Sequence, residues 1–297
     1  MGPGMRIMGT ILRNQKEVFF MLIKTVTIGA AVLAALVCAL CGGFGGMGGL
    51  WMLPLLFVGF WGMGAFFALA WLWLICSRVD MTKEQEEDDP FYRKWMYVYI
   101  EALINILQVR TKTSGLEKTP KDGRFLLVCN HLFIADPGII HHYFKDSQLA
   151  FISKKENESL PAIAHFMHRT LCQSIDREDD RQALQVILKC IRLIKDDKVS
   201  VCVFPEGATS KDGKLHHFRP GVFKIAQKAQ VPIVVCTLRN TKPILHNGFR
   251  LKHTDVELRL LEVIPAADLK GRTAVDISEQ VHRIMADDLG PDLVAEE

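Results

Sequence analysis

The sequence predicts an α/β body with a mixed, largely parallel sheet flanked by helices, preceded by an N-terminal two-helix transmembrane hairpin. Three observations carry that expectation. Residues 25–77 are 53 consecutive positions without a formal charge. Beyond Gly123, short apolar runs alternate with helical stretches, the pattern of strands interleaved with helices. The charge is also unevenly placed. Residues 1–80 hold five basic side chains (Arg6, Arg13, Lys16, Lys24, Arg78) against two acids (Glu17, Asp80), which accounts for the whole net charge of +3. The other 217 residues balance at 31 of each sign, so they lack the basic footprint of a nucleic-acid binder. At 297 residues, 49% hydrophobic and 23% charged, the chain suits two domains and is too apolar for disorder.

The uncharged stretch is too long for one span. As a single helix it would reach about 80 Å at 1.5 Å per residue, against the ~30 Å of a hydrocarbon core. Six glycines within 42–49 break it, leaving spans of about 23–41 and 50–76. Trp51, Trp71 and Trp73 lie near the ends of the second, where interfacial aromatics belong. A cleaved signal peptide does not explain a second apolar run. Basic residues flank both ends and the connecting turn has none, which places both flanks, and the body, on the cytoplasmic face. Residues 1–80 thus read as a membrane anchor. Residues 81–119 read as a polar linker and an amphipathic helix over 91–109, lying either on the bilayer or against the body. Residues 120–297 form the α/β domain.

Within that domain the predicted strands are 124–129, 148–152, 199–204, 231–238 and 256–264. Helical stretches fall at about 137–145, 159–169, 179–196, 220–230 and 274–289. The eight cysteines are scattered, mostly in apolar runs, and read as buried reduced thiols.

Two strand ends carry chemistry. The strand at 124–129 runs into Asn130-His131 and, five residues after the histidine, Asp136-Pro137. The carboxyl end of a buried strand is where open α/β sheets bind ligands, and Asp136 is spaced to orient the imidazole as a general base. Asp-Pro also reads as a helix N-cap with proline at the first helical position. The strand at 199–204 ends in Phe204-Pro205-Glu206-Gly207, a turn that leaves a carboxylate and free backbone amides on the same edge.

Asn130-His131 with Asp136, Ser153-Lys154-Lys155-Glu156, Ile175-Asp176-Arg177, Phe204-Pro205-Glu206-Gly207 and Val231-Pro232-Ile233-Val234 together resemble the glycerolipid acyltransferase family. Its best-known members are the 1-acylglycerol-3-phosphate (lysophosphatidic acid) acyltransferases. The resemblance covers roughly residues 95–265. It implies transfer of an acyl group from acyl-CoA or acyl-carrier protein to a free glycerol hydroxyl, in phospholipid synthesis at a lipid bilayer. No cofactor or metal is implied, because the thioester is already activated. In that reading His131 is the base and Asp136 its orienting partner. Glu206, Gly207 and Thr209 border the acceptor, and Lys154, Lys155 and Arg177 bind its phosphate. The chain departs from the family pattern where Ala208-Thr209-Ser210 replaces Thr-Arg-Ser, which removes one phosphate-binding arginine. Another lysophospholipid acceptor is therefore an alternative. Two readings from other classes are an inactive lipid-binding relative and a metal-dependent membrane hydrolase using His141-His142 and His216-His217.

Overall fold

A computed structural model describes residues 27–37, 39, 52–176 and 179–295. The chain divides into two units, Met1–Asp80 and Met81–Glu297. In the first, helix α1 (Thr27–Val37) is apolar but short, and α2 (Met52–Cys76) contains the 24-residue segment Leu53–Cys76, long and apolar enough to cross a membrane. Among the described residues that is one helix of spanning length where the sequence predicts two. The glycine-rich connector and the remainder of the first predicted span lie outside the described residues.

The second unit is built on a seven-stranded sheet. Its strands are β1 (Val109–Ser114), β2 (Leu126–Cys129), β3 (Leu149–Lys154), β4 (Gln173–Ile175), β5 (Ser200–Val203), β6 (Ile233–Arg239) and β7 (Thr254–Ile264), in the order β1-β7-β6-β2-β5-β3-β4. β6, β2, β5, β3 and β4 run parallel, β6 and β7 pair antiparallel, and β1 lies parallel to β7. The sheet is thus mixed and largely parallel. Its centre is apolar on both faces because each central strand alternates between two cores. Leu126 and Val128 of β2 face α6 (Asp180–Lys195), α7 (Lys224–Ala229) and α9 (Ala274–Leu289). Phe125, Leu127 and Cys129 face α4 (Asp136–Tyr143) and α8 (Ile244–Phe249). Short strands without an exposed position, like β2 and β5, follow from that double burial.

The amphipathic helix is α3 (Pro90–Ile106), and it packs within this unit through Tyr92, Arg93, Met96 and Tyr97. Asp89 caps it, accepting from the amides of Phe91 (2.9 Å) and Tyr92 (3.3 Å), with Pro90 in the first turn. The buried Arg93 fixes its position. Its Nε is 2.6 Å from Asp88 Oδ2, and its two terminal nitrogens donate to the carbonyls of Leu149 (2.9 Å) and Thr170 (3.1 Å). One guanidinium thus ties the helix to the start of β3 and to the end of α5 (Ile163–Arg169). Breaking such a buried pair strands a carboxylate and two carbonyls, at about 3–5 kcal/mol. Arg93→Ala should therefore lower the thermal midpoint by at least about 6 °C. Arg93→Lys should recover only part of the loss, since an ammonium lacks the planar fork; thermal denaturation of the full chain in detergent checks both.

Candidate active site

The last residue before the loop that follows β2 is anchored first. Asn130 is buried, and its amide works as an extra rung of sheet: Nδ2 donates to Leu238 O (3.0 Å) and Oδ1 accepts from Leu238 N (2.8 Å). Only a side-chain amide offers a donor and an acceptor side by side. His131 follows, held at both ends of its own backbone. Its N–H donates to Glu206 Oε1 (2.8 Å), and its carbonyl accepts from Ser210 N (2.8 Å). Its ring stacks on Phe204 with centroids 4.2 Å apart. The loops after the neighbouring parallel strands β2 and β5 are thereby sewn together around one imidazole.

Asp136 is fully buried, and one of its oxygens does three jobs. Oδ2 lies 2.9 Å from His131 Nδ1 and accepts from the amides of Leu132 (2.6 Å) and Phe133 (2.7 Å). Oδ1 is buried without a hydrogen-bond partner. The N-cap expectation is corrected here. Asp136 is itself the first residue of α4, and its carboxylate turns back to the preceding loop instead of capping the amides ahead of it. With Nδ1–H donated to a carboxylate, the neutral imidazole carries its free lone pair on Nε2. That nitrogen meets Thr209 Oγ1 at 3.0 Å, a hydroxyl placed where an incoming one would bind.

Glu206 has both oxygens engaged by backbone: Oε1 by His131 N, and Oε2 by His216 N (3.2 Å). Burial pushes its carboxyl up to about 7, and the two amides and nearby histidines offset only part of that rise. Gly207 needs to be glycine. Its φ is +77°, and a Cβ there would lie 2.9 Å from Arg219 Nε.

The apolar part of the site is a cavity of about 510 Å³ between α3, α4 and α5, lined by Met96, Ile100, Leu103, Gly138, Phe166 and Met167 among others. His131, Phe204, Gly207 and Thr209 form its reactive wall. Lys154 is exposed on the same wall. Lys155 is also exposed and pairs with Asp176 at 3.3 Å, and Arg177 lies outside the described residues. The paired histidines are placed separately. His141 is buried against Phe151, where burial pushes it down to about 3. His216 pairs with Asp212 and His217 stacks near His282. Among the described residues no three His, Cys, Asp or Glu side chains gather as a metal would require. The sequence reading passed over Asn130's rung, the Phe204 stack and the Thr209 contact. The proximity of Asn130 and Phe204 to the two strand ends was the available signal.

The mixed sheet thus carries a His–Asp pair and a Phe-Pro-Glu-Gly turn on one carboxyl edge. Residues 110–239 match the family model described as Acyltransferase, and the chain resembles the glycerolipid acyltransferases. The chain is 33% identical over 174 residues to the chloroplastic 1-acyl-sn-glycerol-3-phosphate acyltransferase BAT2 of Brassica napus, covering 56% of this chain and 50% of that protein. It is 32% identical over 176 residues to the chloroplastic LPAT1 of Arabidopsis thaliana, covering 57% and 49%. The chain thus spans about half the length of these curated relatives. Its fold matches the crystal structure of the 1-acyl-sn-glycerophosphate acyltransferase PlsC from Thermotoga maritima. The TM-score is 0.56 at 21% identity, over 75% of this chain and 87% of that one.

The raised carboxyl of Glu206 sets a pH dependence of stability. Between its ordinary value of 4.5 and about 7, the unfolded chain releases this proton while the folded chain keeps it. Stability from this group is therefore full below pH 4.5 and falls as pH rises to about 7, by up to about 3 kcal/mol. Glu206→Gln has no proton to lose. The unfolding free energy of wild type minus that of the variant should fall across this window and be flat above pH 8, as measured by denaturant titration at a series of pH values.

Proposed function

We propose that the chain is a membrane-anchored acyltransferase that moves a fatty acyl group from acyl-CoA or acyl-carrier protein to the free hydroxyl of lysophosphatidic acid, giving phosphatidic acid. The observation that carries this reading is the Nε2 of His131, met by the Thr209 hydroxyl, backed through Nδ1 by buried Asp136 and set on the wall of an apolar cavity sized for a small ligand. The hydroxyl displaces Thr209 from Nε2 and gives its proton to the ring as its oxygen attacks the thioester carbonyl. The C–O bond forms, the C–S bond then breaks, and the departing sulfur takes the proton from the imidazolium. Asp136 stabilises that cation and fixes the ring's tautomer. The acyl tail occupies the apolar cavity. The relatives' printed activity supports the acceptor, and the chemistry calls for no cofactor or metal.

The same reading gives residues 1–80 the anchor, as two spans of about 23–41 and 50–76, with the α/β domain on the cytoplasmic face. The apolar Leu53–Cys76 helix and the flanking basic residues support it. Lys154, Lys155 and Arg177 are the proposed phosphate cations, and Gly207 lets the acceptor approach the backbone. Glu206 acts by holding the His131 peptide against the β5 loop, the role its two amide bonds favour.

Losing a general base costs about 10²–10⁴-fold in rate. His131→Ala should therefore retain a folded, membrane-bound protein whose kcat with radiolabelled acyl-CoA and lysophosphatidic acid falls by that factor. Full activity in this variant sinks the mechanism. Thr209→Val removes only the hydroxyl that occupies Nε2, and should leave kcat within about threefold of wild type, an outcome that a nucleophilic role for Thr209 would not allow.

A further inference from the structure

The apolar cavity contains one buried polar side chain that the acyl-transfer chemistry does not use. His141, on α4, lines the cavity and is only 6% exposed. Its ring lies against Phe151, with centroids 4.6 Å apart, and against Tyr97 at 6.0 Å. Burial, assisted by the nearby charge of Arg93, pushes the imidazole down to about 3, so it is neutral at ordinary pH. Nδ1 is enclosed without a hydrogen-bond partner. Among the described residues nothing bonds Nε2 either.

The other polar side chains of the lining are differently placed. Thr209 and His131 meet each other at 3.0 Å, and Asn157 Nδ2 donates to Ser153 Oγ at 2.6 Å. Cys172 Sγ accepts from Phe151 N at 3.3 Å. Lys154 is exposed, where water serves its ammonium. His141 alone is both buried and unpaired. A buried polar group without a partner destabilises the fold, and an apolar residue would fill the same space without that cost. The imidazole is thus poorly explained as packing and well explained as a contact for something that enters the cavity.

A neutral imidazole has one nitrogen that donates and one that accepts. With Nδ1 enclosed, Nε2 is left to meet the entering group. A hydroxyl suits it in either tautomer, because a hydroxyl both donates and accepts. The place of His141 fixes roughly where that hydroxyl sits. α4 begins at Asp136, the partner of the reacting ring, and His141 stands five residues on, about 7.5 Å along the helix axis. That displacement spans several methylenes of a chain whose thioester carbon lies at His131. We propose that His141 is a hydroxyl-binding residue within the cavity, selecting acyl donors whose fatty chain carries a hydroxyl several carbons from the thioester. The inference rests on the acyl-transfer reading and narrows its donor. An unsubstituted chain leaves the His141 nitrogen unpaired in an apolar setting, which the hydroxylated chain does not.

The test is a series of acyl-CoA donors of one chain length, unsubstituted or with a single hydroxyl at successive carbons. Each is given to the full chain in mixed micelles. Wild-type kcat/KM should peak at one mid-chain position, about threefold or more above its neighbours, the worth of a neutral hydrogen bond. His141→Leu should abolish the peak. His141→Gln, whose amide keeps a donor and an acceptor, should retain part of it, which a merely structural role would not require. A second readout needs no turnover. The matching free hydroxy fatty acid should raise the thermal midpoint of wild type and of His131→Ala more than the unsubstituted acid does. On His141→Leu the two acids should act alike. A profile without a peak, or a peak that survives in His141→Leu, overturns the proposal. A peak that appears only when the hydroxylated chain is carried by the acceptor lipid overturns the assignment to the donor. A wild type that transfers no chain, yet is protected by the hydroxy acid through His141, fails the acyl-transfer reading and spares the site. Absence of both transfer and protection overturns both.

Discussion

His131 is fixed by its own peptide as much as by its ring. Its N–H is held by Glu206 and its carbonyl by Ser210 N, both from the loop after β5. Every other feature of the site depends on that double tether. Two loops leaving adjacent parallel strands would otherwise move independently of one another. The tether also explains the buried glutamate. A carboxylate that closes two backbone amides, one from each side of the turn, justifies a burial that raises its proton affinity.

Asp136 completes the arrangement from the other direction. One oxygen receives the imidazole and two consecutive amides, so the loop at 132–133 and the ring are oriented by a single atom. The other oxygen has no partner, an uncommon state for a buried polar atom. Phe204, from the end of the neighbouring strand, supplies the flat surface that holds the ring plane. The apolar cavity opens directly onto this wall, so an apolar surface and the imidazole share one space.

The parts of this fold that were legible in the sequence are those buried on both faces. β2 reads as an uninterrupted apolar run, and β5 as one after Ser200, because Leu126 to Cys129 and Val201 to Val203 each meet one core or the other. β1 and β4 were not legible. β1 is an edge strand bearing Arg110 and Lys112, charges suited to solvent and to discouraging further pairing, and β4 is only three residues long. The six-residue helix α8 was also missed, being too short to show a period. At the site, the His–Asp spacing was readable because the two residues lie five apart in sequence. The reach of Asn130 to Leu238 and the contact of Thr209 with His131 were not, because each joins segments far apart in sequence. The amphipathic pattern of 91–109 could not distinguish a bilayer from a protein surface, since both take an apolar face. Arg93 shows one face to be packed on the body, as a buried guanidinium needs fixed acceptors and finds them in the carbonyls of Leu149 and Thr170.

The strand order has a consequence for the growing chain. β2 is made early, yet its two neighbours, β5 and β6, begin only at Ser200 and Ile233, and β1 must wait for β7, which begins at Thr254. A nascent polypeptide interrupted near residue 195 has already emerged with its His131 and Asp136, but with none of the strands that border them. Its most apolar strand is then an open edge on both sides, the kind of surface that recruits chaperones or aggregates. The candidate site is thus among the last parts of the domain to become structured, although His131 and Asp136 are encoded before the midpoint.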